Sequence, residues 1–409
     1  MYLSERVKNL AESQTIAMAR KSRELKAQGV DIISLSLGEP DFNTPSLIKQ
    51  AAQQAIEDNY SFYTHVSGYL ELREAICKKF ERDNGLVYTP DEIVVSTGAK
   101  QSISNAILCL LNPGDEVIVP SPYWVSYLEL VKLAEAKSIV VNTSIENNFK
   151  ITAEQLQNSI TPKTRLLIFS SPCNPTGSVY TEAELFALAE VIKKYPELYV
   201  ISDEIYEHIN FVGKHISLAH IAGMKERTIV INGVSKGFAM TGWRGGILAA
   251  PKWLAQACDK MQGQFTSATS SITQKAMFAA MQMPVETTYP MRNAFKRRRD
   301  LVVKGLSEIK GFVCNNPDGA FYVFPEVNYF FGKSYSGKKT CLPSEGLSNG
   351  RQVNNATDLC MYLLEEAKVA MVPGAAFGND NYLRISYAIA EEKLTEAVKR
   401  IKEAVSKLS

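Results

Sequence analysis

Tyr199-Val-Ile-Ser202 runs into Asp203-Glu-Ile-Tyr206, and Thr228-Ile-Val-Ile231 runs into Asn232-Gly-Val-Ser-Lys236-Gly237. Each is a short, β-branched apolar run that breaks into polar and glycine residues. The pattern repeats outward from these two. Similar runs stand at Ile93–Ser96, Val117–Val119, Ile139–Asn142, Leu166–Ser170 and Gly246–Ala249, with helical segments between them. Strands that are apolar on both faces and alternate with helices predict a largely parallel sheet covered by helices on both sides. The expected fold class is α/β, with one large doubly wound domain and a smaller α/β domain.

The flanks read differently. Residues 1–30 form a charged, amphipathic helical segment ending near Gly29, followed by a turn-rich stretch from Gly38 to Pro45. After Pro284 comes a long basic helix through Arg297-Arg298-Arg299, then a strand-like Ala320–Phe324. Residues 326–355 carry Gly332, Gly337, Gly346 and Gly350 among Ser, Lys and Asn, and read as an exposed insertion. Lys393–Lys407 reads as an amphipathic helix. The expected layout is a large domain over 46–286, with 1–45 and 287–409 forming the smaller one. No repeat of 20 to 50 residues is visible.

Composition narrows the class without naming the chemistry. The 409 residues carry 45 Lys plus Arg against 43 Asp plus Glu, a net +2, and 45% are hydrophobic. That excludes disorder and argues against a polyanion-coating protein, so no nucleic-acid partner is expected. No apolar run reaches a membrane span and no signal-peptide core is evident, so a cytoplasmic location without a membrane partner is expected. The sequons at Asn142 and Asn355 then carry little weight. Seven scattered cysteines without a C-x-x-C pair fit free thiols in a reducing compartment. Four histidines without H-E-x-x-H give no expected metal site.

Two nucleotide signatures fail. Gly332-Lys-Ser-Tyr-Ser-Gly337-Lys338-Lys339-Thr340 nearly spells a P-loop, but Lys339 stands where the Mg²⁺-binding hydroxyl belongs. No G-x-G-x-x-G occurs. The stronger signal is positional, because open α/β sheets bind ligands outside the carboxyl ends of their strands. Four polar sites fall there: Thr97-Gly98-Ala99-Lys100, Ser171-Pro-Cys-Asn174-Pro-Thr-Gly177, Asp203-Glu-Ile-Tyr206 and Ser235-Lys236, with Arg244 eight residues further on. Singly, each has an ordinary reading as a turn, cap or surface lysine. Together they converge on one crevice, with Gly98-Ala99 opening a helix as an anion site.

The motifs Ser36-Leu-Gly-Glu-Pro-Asp-Phe42, Asn174-Pro-Thr-Gly177, Ser202-Asp-Glu-Ile-Tyr206, Ser235-Lys-Gly-Phe-Ala-Met-Thr-Gly-Trp-Arg244 and Tyr382-Leu-Arg384-Ile-Ser-Tyr387 span nearly the whole chain. In them the chain resembles class I pyridoxal-phosphate-dependent aminotransferases of fold type I, in their aspartate aminotransferase branch. The resemblance implies that Lys236 carries pyridoxal 5′-phosphate and afterwards moves a proton at the substrate Cα. It implies that Asp203 faces the pyridine nitrogen, that Asn174 and Tyr206 donate to the phenolic oxygen, and that Trp124 stacks on the ring. Gly98, Ala99, Ser235 and Arg244 would hold the phosphate, with Lys100 beside them. Ala99 replaces a frequent glycine or hydroxyl residue, and Gly233 stands where many relatives have serine. Arg384 would clamp the substrate α-carboxylate, helped by Gly38 and Asn174. Tyr63 would reach the phosphate of a neighbouring subunit, which implies a homodimer with shared sites.

Substrate choice rests on Lys100 assisted by Thr15, which would read a distal carboxylate. The expected partners are amino acids and 2-oxo acids, with aspartate and 2-oxoglutarate foremost. Prephenate or aromatic specificity, a carbon–sulfur β-lyase on the same fold, and a cofactor-binding regulator are the alternatives.

Overall fold

A computed structural model describes residues 2–11, 14–335 and 352–409. Strand β1 is Ile33–Ser34. Strands β2 (Ile93–Thr97), β3 (Glu116–Ser121), β4 (Lys137–Asn142), β5 (Thr164–Ser170), β6 (Tyr199–Asp203), β7 (Thr228–Gly233) and β8 (Gly245–Ala249) form the main sheet. Strands β9 (Tyr322–Val323), β10 (Val369–Ala370), β11 (Val372–Pro373) and β12 (Leu383–Ser386) follow.

The main sheet has the order β2-β8-β7-β6-β5-β3-β4. All its strands run parallel except β8, which is antiparallel to both neighbours. The period-2 alternation of strand side chains explains its two cores. Ile93 and Val95 face one side with Val230, Ile247 and Ala249, against Ile48, Ile76 and Met277 of flanking helices. Val94 faces the other side with Ile168, Ile201, Ile229 and Leu248, against Ile103, Leu254 and Ala255. Both faces are covered, so the central strands have no polar face to present. Only the edge strand β4 alternates with exposed positions.

The remaining strands make two small sheets. β1 pairs in parallel with β10, which ties the N-terminal segment to the C-terminal third. β11-β12-β9 is antiparallel. Its core joins Phe321, Val323, Leu383 and Ile385 to Val302, Leu306, Leu363, Leu394 and Ile401 of three helices, Tyr289–Ser307, Ala356–Glu366 and Glu391–Val405.

Two expectations need correction. The N-terminal segment is two helices, Glu5–Lys8 and Gln14–Ala27, rather than one; Gly29, at φ +84°, ends the second. The strand expected over Ala320–Phe324 shortens to two residues, because only Tyr322 and Val323 find partners on β12. The basic helix is present as Tyr289–Ser307, and its Arg298 and Arg299 are buried, Arg298 on Asp41 at 2.6 Å and Arg299 donating to the Pro317 carbonyl at 2.6 Å. Within the expected insertion, residues 336–351 lie outside the described residues, and with them most of the near-P-loop and Cys341. The flanks are not exposed throughout: Phe330 and Val353 are buried in the core. Among the described residues, no helix is long and apolar enough to cross a membrane.

Candidate active site

Because β2, β5, β6 and β7 run the same way, the four loops after them open on one edge of the sheet. Three close approaches shape that edge. Gly98 takes φ +88°, and a Cβ there would collide with the Arg244 guanidinium. A Cβ on Gly246 would strike the Gly98 carbonyl carbon and the Ala99 nitrogen, so β8 runs against the turn. One on Gly38 would strike the Tyr322 hydroxyl. Ala99 begins the helix Ala99–Leu110, which leaves its first backbone N–H groups free for an anion.

The loops, together with residues from the smaller sheets, enclose a cavity of about 280 Å³. Of the expected site residues it is lined by Thr15, Gly38, Ala99, Lys100, Trp124 and Asn174, and also by Asp203, Tyr206, Ser235, Lys236, Arg244 and Arg384. Gly98 stands just behind, under the Arg244 guanidinium. Tyr63 is elsewhere: it is 98% exposed, beside Phe62 at 81%.

Lys236 donates from Nζ to the Gly38 carbonyl at 2.5 Å and, among the described residues, pairs with no carboxylate. Burial pushes its pKa down to about 8, against the opposing pull of Glu39 and Asp203. Its amine therefore loses its proton more readily than that of an ordinary lysine. Glu39 itself accepts a hydrogen bond from Thr241.

Asp203 ends β6 and is 5% exposed. Burial raises its pKa to about 6. Two donors oppose that: the Tyr127 hydroxyl at 2.7 Å on Oδ2 and the Ile205 N–H at 3.3 Å on Oδ1. Trp124 meets Tyr127 edge to face, ring centroids 5.4 Å apart at 83°. Lys100 lies 5.1 Å from the Trp124 ring centroid. Burial and the positive Arg244 both push the Lys100 pKa down.

Arg384 is 2% exposed yet, among the described residues, has no acidic partner. It donates to Asn174 Oδ1 at 3.0 Å and to the Ser36 carbonyl at 2.6 Å. The Tyr322 and Phe377 rings flank it at 4.6 and 4.9 Å. Its Nε is buried without a partner, as is the Thr15 hydroxyl. A buried guanidinium with spare donors is costly unless an anion completes it. Tyr206 shares a 2.9 Å hydrogen bond with Tyr322.

Sequence reasoning missed Tyr127, Tyr322 and the Ser36 carbonyl. Tyr127 falls three residues after Trp124, on the first turn of the helix Ser126–Leu133. Tyr322 lies inside an apolar run, where an aromatic reads as core. A second buried polar group backs the Asp203 turn. Glu204, Glu207 and His215 offer ligand atoms within 4.8 Å of one another. Their oxygens are already engaged: Ser202, Ser217 and His215 donate to Glu204, and Lys79 and Asn84 to Glu207.

These residues fit one kind of guest. A lysine amine of lowered pKa, a buried carboxylate in the same cavity, a flat indole wall and a glycine-lined cradle for a dianion suit an aromatic aldehyde carrying a phosphate. The fold and site therefore suit an enzyme that works through pyridoxal phosphate. Residues 30–401 match the family model described as aminotransferase class I and II. An aspartate/prephenate aminotransferase of Cereibacter sphaeroides is 47% identical over 410 residues, covering 100% of both chains. The structure is similar to that of the aspartate aminotransferase of Rhizobium meliloti, with TM-score 0.94, 42% identity and 100% of both chains covered. It is also similar to the aspartate aminotransferase of Thermus thermophilus solved with maleate, with TM-score 0.90, 38% identity, and 99% and 100% covered. The chain belongs to the class I and II aminotransferase family, and it is a pyridoxal-phosphate-dependent aminotransferase of the aspartate aminotransferase branch.

Proposed function

We propose that the enzyme transfers the amino group of L-aspartate to 2-oxoglutarate, giving oxaloacetate and L-glutamate by a ping-pong route. The observation that carries this is a second cation. Lys100 lines the same cavity as Arg384, beside Thr15, and among the described residues its ammonium has no ion-pair partner. One guanidinium serves an α-carboxylate; a second positive charge lining the same cavity asks for a second carboxylate. That the Thermus thermophilus relative was solved with maleate, a dicarboxylate, supports the same reading.

The bound cofactor supplies an electron sink for the charge left at the substrate Cα. This chain's residues do the rest. Arg384 and the Asn174 amide hold the α-carboxylate and orient the Cα. Lys236, as a neutral amine, takes the Cα proton and returns it. Asp203 would hold positive charge on the ring nitrogen of the bound cofactor. Ser235, Arg244 and the backbone N–H at Ala99 would hold its phosphate, with Gly98 making room. Tyr206 and Asn174 would donate to its phenolic oxygen, and Trp124 would cover its face.

Prephenate is the second reading, favoured by the Cereibacter sphaeroides relative's name and its full-length match. A homodimer completes the proposal: Phe62 and Tyr63 form an exposed aromatic pair suited to a second copy of the chain. We assign 46–286 to the large domain and 1–45 with 287–409 to the small one, supported by the β1–β10 pairing. A cytoplasmic location fits this chemistry.

Lys100→Ala tests the substrate reading. It should lower kcat/KM for aspartate by roughly 10- to 100-fold while leaving alanine within about twofold, because a charge-assisted contact contributes about 1.5–3 kcal/mol. Equal losses for both donors would reject Lys100 as the distal-carboxylate reader.

A further inference from the structure

We infer that Tyr127 is a positioning residue: its hydroxyl holds the Asp203 carboxylate in place and charged beneath the cofactor, while its ring braces Trp124. The inference rests on the reading that Asp203 faces the ring nitrogen.

Tyr127 is 1% exposed, so its hydroxyl has no water to exchange for a protein partner. Its phenol lies 2.7 Å from Asp203 Oδ2, and no other donor is found for that oxygen among the described residues. Burial and the nearby negative charge of Asp203 raise the Tyr127 pKa well above its usual value. The phenol therefore stays protonated and can only donate. Donation to an ionised acceptor favours the ionised form.

The other groups around Asp203 do not replace this. Glu204, the next residue in the chain, pushes toward the neutral acid, and Lys236 from the loop after β7 pulls the other way. Cys173 and Tyr206 face it as neutral, buried groups whose pKa values are raised by burial. Burial is the largest influence on Asp203 and favours the neutral acid; the Tyr127 hydroxyl is the largest one opposing it. A neutral Asp203 could not balance a positive ring. The same residue also orders the stacking wall: its ring meets the Trp124 ring edge to face, and its backbone N–H donates to the Trp124 carbonyl at 3.0 Å.

The test uses holoenzyme loaded with pyridoxal phosphate labelled with ¹⁵N at the ring, comparing wild type, Tyr127→Phe and Asp203→Ala. The ¹⁵N shift across pH reports protonation of that nitrogen. Tyr127→Phe keeps the ring against Trp124 and removes only the hydroxyl. It should lower the apparent pKa of the ring nitrogen by about one to two pH units, with visible cofactor absorption moving in step and thermal unfolding nearly unchanged. An unmoved titration in Tyr127→Phe, with protonation lost in Asp203→Ala, would overturn the Tyr127 role and leave the Asp203 reading standing. A ring nitrogen still protonated in Asp203→Ala would overturn both. Should Tyr127→Phe not fold, infrared difference spectra of cofactor-free wild type minus Asp203→Asn decide. An ionised Asp203 at pH 7 is expected, and a protonated one overturns the inference.

Discussion

At the scale of single residues the site is built from charges kept without partners. Lys236 is half-buried with a carbonyl for company, and Arg384 is buried against an amide and a carbonyl. Such charges cost folding stability, and on the proposed function the substrate and cofactor complete them. Both residues were named through the resemblance of the motifs they stand in to a known family. What the motifs could not show is how little surrounds them. The pKa of Lys236 yields a measurable consequence. Its value lies below that of an ordinary lysine, so the protonated, unreactive form is lost as pH rises through about 8. Cofactor-free enzyme should therefore capture pyridoxal phosphate faster as pH rises from 6 and level off just above 8, followed by stopped-flow absorbance. A rate still climbing at pH 10 would mean that the lysine titrates as an exposed one.

Elements set the geometry those residues need. The central sheet strands were legible from the sequence because they are apolar on both faces, and β2, β5, β6 and β7 each run into a polar break. The loops at their carboxyl ends then fixed where a ligand could sit. Tyr127 and Tyr322 were not legible, since each stands among apolar neighbours and only packing turns its hydroxyl toward Asp203 or Tyr206. Nor was the burial of Arg298 and Arg299, whose partners Asp41 and Pro317 are remote in the chain. The contact of β8 with the Gly98 turn is likewise a tertiary fact. Gly246→Ala would force those backbones apart, and overpacking of this kind costs about 1–3 kcal/mol. Denaturant unfolding should show that loss and equilibrium dialysis a weaker hold on pyridoxal phosphate. Gly242→Ala, which meets open space, should change neither. A Gly246→Ala protein with wild-type cofactor affinity would place the phosphate elsewhere.

For the whole molecule, the near-balance of 45 basic and 43 acidic residues hides a local excess. Lys100, Lys236, Arg244 and Arg384 line one cavity with Asp203 as the acid among the lining residues. Summed charge could not reveal this, because it averages over a surface of exposed ion pairs that contribute little. One chain also leaves Tyr63 exposed and outside the residues that line the cavity. Light scattering should accordingly give twice the 45.3 kDa chain mass. Tyr63→Ala should keep that mass and release pyridoxal phosphate more readily; a fully active monomer would exclude the shared site. The claim on which the rest depends is that this cavity selects an amino donor with two carboxylates. Glutamate formation from 2-oxoglutarate, measured with aspartate, alanine and phenylalanine as donors, tests it most directly. The arrangement of Lys100 and Arg384 predicts a kcat/KM for aspartate roughly 10- to 100-fold above that for alanine. Alanine or phenylalanine turned over as well as aspartate would contradict it.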